Sequence, residues 1–123
     1  MNLAGPLGAA AAYSHRLMVD AEVWREETTT DAGGGQTVAW VQQDPTDVQL
    51  VSPSATERET AAQWGVEVTH TAVVPLDSHV VRGDRLVVAG ATVELVSDPL
   101  AATHSAVGRA LARQEPWKSP TEE

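Results

Sequence analysis

The side chains that could do chemistry are present in this chain but are not spaced for it. Four histidines stand at His15, His70, His79 and His104. No two follow the HxH or HExxH spacing that places imidazoles together on a metal, so separate solvated roles are expected. Serine, histidine and aspartate are all available for a hydrolase triad. However, there is no GxSxG elbow to hold a serine in a strained turn, and residue types alone carry no weight. Gly33-Gly34-Gly35 lacks the Lys-Ser/Thr and the following helix of a phosphate loop. Arg82-Gly83-Asp84 spells the integrin-binding tripeptide, but so short a match arises by chance. The simpler reading is structural: Gly83 permits a turn and Asp84 opens the hairpin after it. Glu57 and Glu59 are paired carboxylates, which on an acidic chain read as a solvated face. Cysteine is absent, which excludes disulfides, thiolate nucleophiles and Cys-based zinc sites. No enzyme and no cofactor is expected, which leaves binding or assembly.

The elements that must carry such a role are β. The chain has 123 residues, one domain's worth, and is long enough to bury a core unaided. Its 8 Lys+Arg against 17 Asp+Glu give a net charge of −9, a surface that repels nucleic acid and anionic lipid. No long apolar run is present to span a membrane. Phe and Ile are absent, so the core must come from Val, Leu and Ala, and the Val runs are broken by Gly, Pro, Asp and Ser in the manner of short strands.

Residues 15–27 alternate with a period of two, and 37–47 form a second strand after the glycine-rich turn at 31–35, making a hairpin. Trp24 and Trp40 are placed to form a cross-strand pair. The stretch 48–64 has the least strand character. Within it, Ser54 or Thr56 followed by Glu57 can cap a short helix ending at Gly65, carried over the barrel end. Because 54–59 lies outside the patterned strands, its deletion is expected to leave the fold intact. Residues 65–75 are the cleanest alternation, with Val66, Val68, His70 and Ala72 on one side. Residues 85–96 form a compact hairpin about Gly90. The last element, 104–113, reads as either strand or helix. Together these give a mostly all-β fold, a small antiparallel barrel or sandwich with a long crossover loop able to carry a short helix.

The ends differ from the middle. Residues 1–14 are read as a flexible arm; LAGPLGAAAA at 3–12 is apolar, but no Lys or Arg precedes it as a targeting signal would require. Residues 15–113 are the barrel domain and 114–123 a polar, disordered or extended tail. Trp117 in that tail either docks on a neighbouring subunit or covers the domain's own edge.

The stretch Gly65–Val96, GVEVTHTAVVPLDSHVVRGDRLVVAGATVELV, resembles the head-closure or head–tail connector ("stopper") proteins of tailed bacteriophages. The strand VEVTHTAVVP, the hairpin RGDRLVVAG with Gly83, Asp84, Arg85 and Gly90, and the strand TVELV before Asp98, Pro99 and His104 carry the likeness. The crossover SPSATERETAAQWG also fits, and the resemblance covers roughly residues 15–113. The Ala-rich SAVGRALARQ departs from relatives that finish on a hydrophobic strand.

The resemblance implies a virion protein of the neck, assembled in the bacterial host cytoplasm. Such proteins form a homo-oligomeric ring, typically a dodecamer, with portal and adaptor above and the tail or tail terminator below. Viral DNA passes through the lumen without sequence-specific binding, and no membrane is involved. In some members a long loop closes the channel; here it would be Ser52, Pro53, Ser54, Ala55, Thr56, Glu57, Arg58 and Glu59, whose glutamates would become rings of negative charge. Tyr13 and Trp117 would be subunit contacts. A tail-terminator or tail-completion protein, and a free-standing β-barrel binding module, are the alternatives.

Overall fold

A computed structural model describes residues 18–101 and 105–120. The arm 1–14, and with it Tyr13, His15 and His104, lie outside the described residues. The chain order is β1 (Val19–Thr30), β2 (Gln36–Val51), α1 (Ala55–Trp64), β3 (His70–Pro75), β4 (Arg85–Val88), β5 (Ala91–Leu95), β6 (Leu100–Ala101) and β7 (Val107–Glu115). All pairings are antiparallel. The order β3-β2-β1-β4-β5-β7 returns to β3 through a β3–β7 ladder, so six strands close into a barrel, with β6 added along β7.

The interior is what the composition requires. Val23, Val48, Val74, Leu86, Val93 and Leu95 are inside, and Ala21, Ala72, Ala110 and Ala112 fill the places where the wall is tightest. A barrel of so few strands has little room, and alanine lets it close without voids or overpacking. This also explains β7. Its alanines favour a helix in isolation, but β7 is the strand that closes the cylinder, pairing with β3 from His70↔Ala112 to Pro75↔Val107 and with β5 from Thr92↔Glu115 to Leu95↔Ala112. Tertiary pairing overrides local preference there. Where β5 ends, Ser97 Oγ accepts the Leu111 N–H at 2.9 Å and keeps β7 satisfied.

Positive φ marks the two turns that flank β4. Ala89 (φ 50°) and Gly90 (φ 86°) form the two-residue β4–β5 reversal, whose twist matches the flanking strands. Gly83 (φ 95°) sits in the turn Val81–Asp84, closed by Asp84 N–H to Val81 O at 3.1 Å. Only glycine takes this conformation without strain.

Helix α1 begins with the capping box expected of Ser54. The Glu57 N–H donates to Ser54 Oγ (3.1 Å), and the Ser54 N–H donates to Glu57 Oε1 (2.9 Å). It ends at Gly65, where Gly65 N–H meets Ala62 O and Val66 N–H meets Ala61 O, a Schellman cap. That cap corrects the strand expected over 65–75. Gly65 and Val66 serve the helix end, so β3 starts only at His70. Nor is α1 carried over the barrel end. It is fastened to the outer face of β3 and β7, where Thr71 and Leu111 are buried beneath it. In the tail only the boundary moves: 114–115 belong to β7, and the residues after them lie against the barrel without regular structure to 119, with Ser119 fully buried.

Candidate assembly surface

The hairpin β1–β2 is longer than the barrel that holds it. β1 meets β4 only at Glu22–Trp24, and β2 meets β3 only at Gln49–Val51. From Glu26 to Gln43 the two strands pair with each other, in register from Trp24↔Gln42 to Thr30↔Gln36, and form a two-stranded ribbon outside the barrel. Its far end is a turn in which Asp31 Oδ1 accepts the Gly33 and Gly35 N–H groups at 2.9 and 2.8 Å. Val38 and Val41 are 55% and 38% exposed. The tracts Thr28–Thr30 and Gln36–Gln43 contain no charged residue.

Two devices fix the root of this ribbon. The first is Arg25, whose Nε and Nη2 donate to Asp84 Oδ1 and Oδ2 at 2.8 and 2.9 Å, while Nη2 also donates to His79 O. Asp84 is fully buried and its Oδ2 accepts the Val81 N–H as well, at 3.0 Å. Hydrogen bonding to Asp84 raises the already high pKa of Arg25. The tripeptide Arg82-Gly83-Asp84 therefore holds its carboxylate inside, where no receptor reaches it.

The second device is aromatic. Trp24 and Trp40 are diagonal neighbours, not a facing pair, since Trp24 lies opposite Gln42 and Trp40 opposite Glu26. Trp117 fills the space between them, edge-on to Trp24 at 6.2 Å and tilted on Trp40 at 5.1 Å. The Arg85 guanidinium lies 4.5 Å from the Trp40 ring and 5.2 Å from that of Trp117, a cation–π arrangement. Thr92 Oγ1 donates to Trp117 O at 2.8 Å and anchors the tail. Of the two readings of Trp117, the structure shows the one in which it covers its own domain. Of the hairpin residues, Asp84 reaches the ribbon root through Arg25 and Arg85 through the tryptophans, while Gly83 and Gly90 shape the turns on either side of β4.

The expected channel loop is not a free loop. Ser52 is exposed, Pro53 is buried, Ser54 caps the helix, and Ala55, Thr56, Glu57, Arg58 and Glu59 form its first turns. Glu57 is tied on three sides: Arg109 Nε and Nη2 donate to it at 3.0 Å each, Thr71 Oγ1 at 2.9 Å and Ser54 N–H at 2.9 Å. Glu57 therefore cannot serve as the open charge of a flexible tip, although Arg58 and Glu59 remain exposed. Deleting 54–59 would remove this tie and the helix cap together, which overturns the expectation that the fold would be indifferent to it.

Arg109 above all, then Ser54 and Thr71, hold the Glu57 carboxyl at about 2 against an ordinary 4.5, with burial acting the other way. The folded value lies below the unfolded one. The link therefore stabilises fully above pH about 5 and is lost as pH falls toward 2. Glu57→Gln is expected to lower stability at neutral pH by about 1 kcal/mol, a modest figure because Arg109 is half-exposed and solvent screens the pair. It should also flatten the acid limb of the stability curve. Urea unfolding at several pH values measures this, and parallel curves for the variant and the parent would contradict it.

Among the described residues, no three His, Asp or Glu side chains are gathered to hold a metal ion. His70 bonds the Thr69 hydroxyl, and His79 lends only its carbonyl to Arg25. An open groove of about 570 Å³ at the ribbon root is rimmed by Asp20, Asp44, Asp47 and Asp77, a surface that repels phosphate. Among the described residues, no helix is long and apolar enough to cross a membrane. Sequence reasoning missed Arg25, whose partner is 59 positions away, and no local signal marks that pairing.

No family model matches the chain, and no curated protein matches it. A solved structure does. The solution structure of protein SF1141 from Shigella flexneri 2a is similar at a TM-score of 0.67 and 16% identity, covering 85% of this chain and 97% of that one. The likeness is one of fold.

Proposed function

We propose that this chain is a ring-forming subunit of the head–tail connector of a tailed bacteriophage. The observation that carries the reading is the ribbon. A two-stranded hairpin alone in water is marginal. Here one is fastened at its root by a buried ion pair and a tryptophan cluster, then left uncovered on its apolar positions. Such an element is suited to packing against another subunit. The likeness of Gly65–Val96 to connector proteins supplies the kind of assembly.

The ring would sit between portal or adaptor and the tail, hold the packaged genome and offer the tail its seat. The net charge of −9 suits a lumen through which DNA slides, since carboxylates repeated around a ring repel phosphate. In this reading α1 is a fixed part of the subunit wall, because Glu57 bolts it to β7.

Deleting the gene from the phage that carries it tests the proposal. The expected particles are filled heads that leak DNA or fail to join tails, restored by a plasmid-borne copy. Intact infectious particles would overturn the reading. Overlong tails on sealed heads would assign the chain to tail termination instead.

A further inference from the structure

We infer that the two open edges of the ribbon pair with each other between neighbouring copies of this chain. The inference rests on the ring reading and names the surface that would build the ring. Among the described residues, along Glu26–Thr30, β1 is paired with β2 on one side and with no strand on the other. Along Gln36–Gln43, β2 is likewise paired with β1 alone. One rigid element therefore offers an unfilled row of backbone donors and acceptors on each of two opposite sides.

Natural edge strands are ordinarily guarded by charges, proline or bulges that deter pairing. This one is not. Gln36–Gln43, QTVAWVQQ, contains no charge, no proline and no glycine, and Thr28–Thr30 is equally bare. The register shift falls where Ala21–Val23 of β1 faces Gln43–Thr46 of β2, so the extra residue is in β2 at Asp44–Pro45, at the root of the ribbon and outside these tracts. The residues are also strand formers, Thr, Val and Trp. Charge chooses the occupant. Copies carrying −9 each repel one another, and the charge-free tracts Thr28–Thr30 and Gln36–Gln43 are the part of the ribbon along which they can approach, beyond Glu26 and Glu27 at its root.

Geometry chooses the mode. Copies related by rotation about an axis along the ribbons keep every ribbon pointing the same way. The β1 edge of one copy then runs antiparallel to the β2 edge of the next, as β1 and β2 do within the hairpin. The contact joins two different edges, so it propagates from copy to copy and closes into a ring.

The chain has no cysteine, which makes disulfide trapping clean. Thr29 lies on the ribbon face shared by Thr37, Ala39 and Val41. The full-length Thr29→Cys variant is mixed in turn with full-length Thr37→Cys, Ala39→Cys and Val41→Cys under mild oxidation, with and without the portal–adaptor complex. The expected result is a disulfide-linked pair of doubled mass in one of the three mixtures and no such species from either variant alone. A companion variant, Val38→Lys with Val41→Lys, alters exposed positions only. It should keep its circular dichroism spectrum and lose the assembled species in light scattering. A β2 variant that links to itself would show a two-fold contact and overturn the inference. Rings that form without any mixed disulfide would overturn the edge pairing and leave the ring reading standing. A chain that stays single under every condition would overturn both.

Discussion

Replacing Arg25 with alanine is expected to cost about 3 kcal/mol of stability, more than the about 2 kcal/mol expected for Asp84→Ala. The order follows from burial. The Asp84 side chain is 1% exposed and that of Arg25 is 33% exposed. Removing Arg25 leaves a carboxylate enclosed with only the Val81 N–H as partner. Removing Asp84 leaves a guanidinium that can turn toward water, together with one unpaired N–H. Chemical unfolding of both single variants and the double variant measures the coupling. The double variant should be little worse than Arg25→Ala, because the two groups act as one unit. A larger loss for Asp84→Ala than for Arg25→Ala would show that the turn at Gly83, and not the ion pair, is what Asp84 supports.

The second large effect belongs to Trp24. It is 4% exposed, and Trp117 is the ring that covers it. Trp24→Ala is expected to cost about 3–4 kcal/mol, in the range for a buried aromatic removed to alanine. The loss should be accompanied by release of the tail. Hydrogen exchange at residues 117–119 reads that release directly, since the Thr92–Trp117 bond and the burial of Ser119 depend on Trp117 staying seated. Trp117→Ala should cost less, because Trp117 is only half-buried and Trp24 retains its bond to Glu22 at 3.0 Å. Protection of 117–119 in the Trp24→Ala protein equal to that of the parent would contradict the view that the tryptophans hold the ribbon root as a unit.

What could be read from the residues was local. The hairpin at Asp31–Gly35, the capping box at Ser54–Glu57, the helix stop at Gly65 and the β4–β5 hairpin each rest on residues a few positions apart, and each stands in the structure. The Val, Leu and Ala core follows from composition. What could not be read depends on closure. The alanines of β7 look helical until a narrow barrel needs them, and Val66 and Val68 look like a strand until Gly65 takes Val66 for the helix cap. Arg25–Asp84 and Trp117–Trp40 join residues brought together only once the barrel is shut. The ribbon's length was hidden for another reason. Thr28–Thr30 has no alternation, because neither of its faces is buried.

The central claim is that this chain is a neck ring whose subunits meet through the ribbon. Focused cryo-electron microscopy of the neck of intact particles tests it most directly. The account predicts a ring of these six-stranded barrels between portal or adaptor and tail, with the β1 edge of each copy against the β2 edge of the next. A neck fully accounted for by other chains, with no density for this barrel, would contradict it.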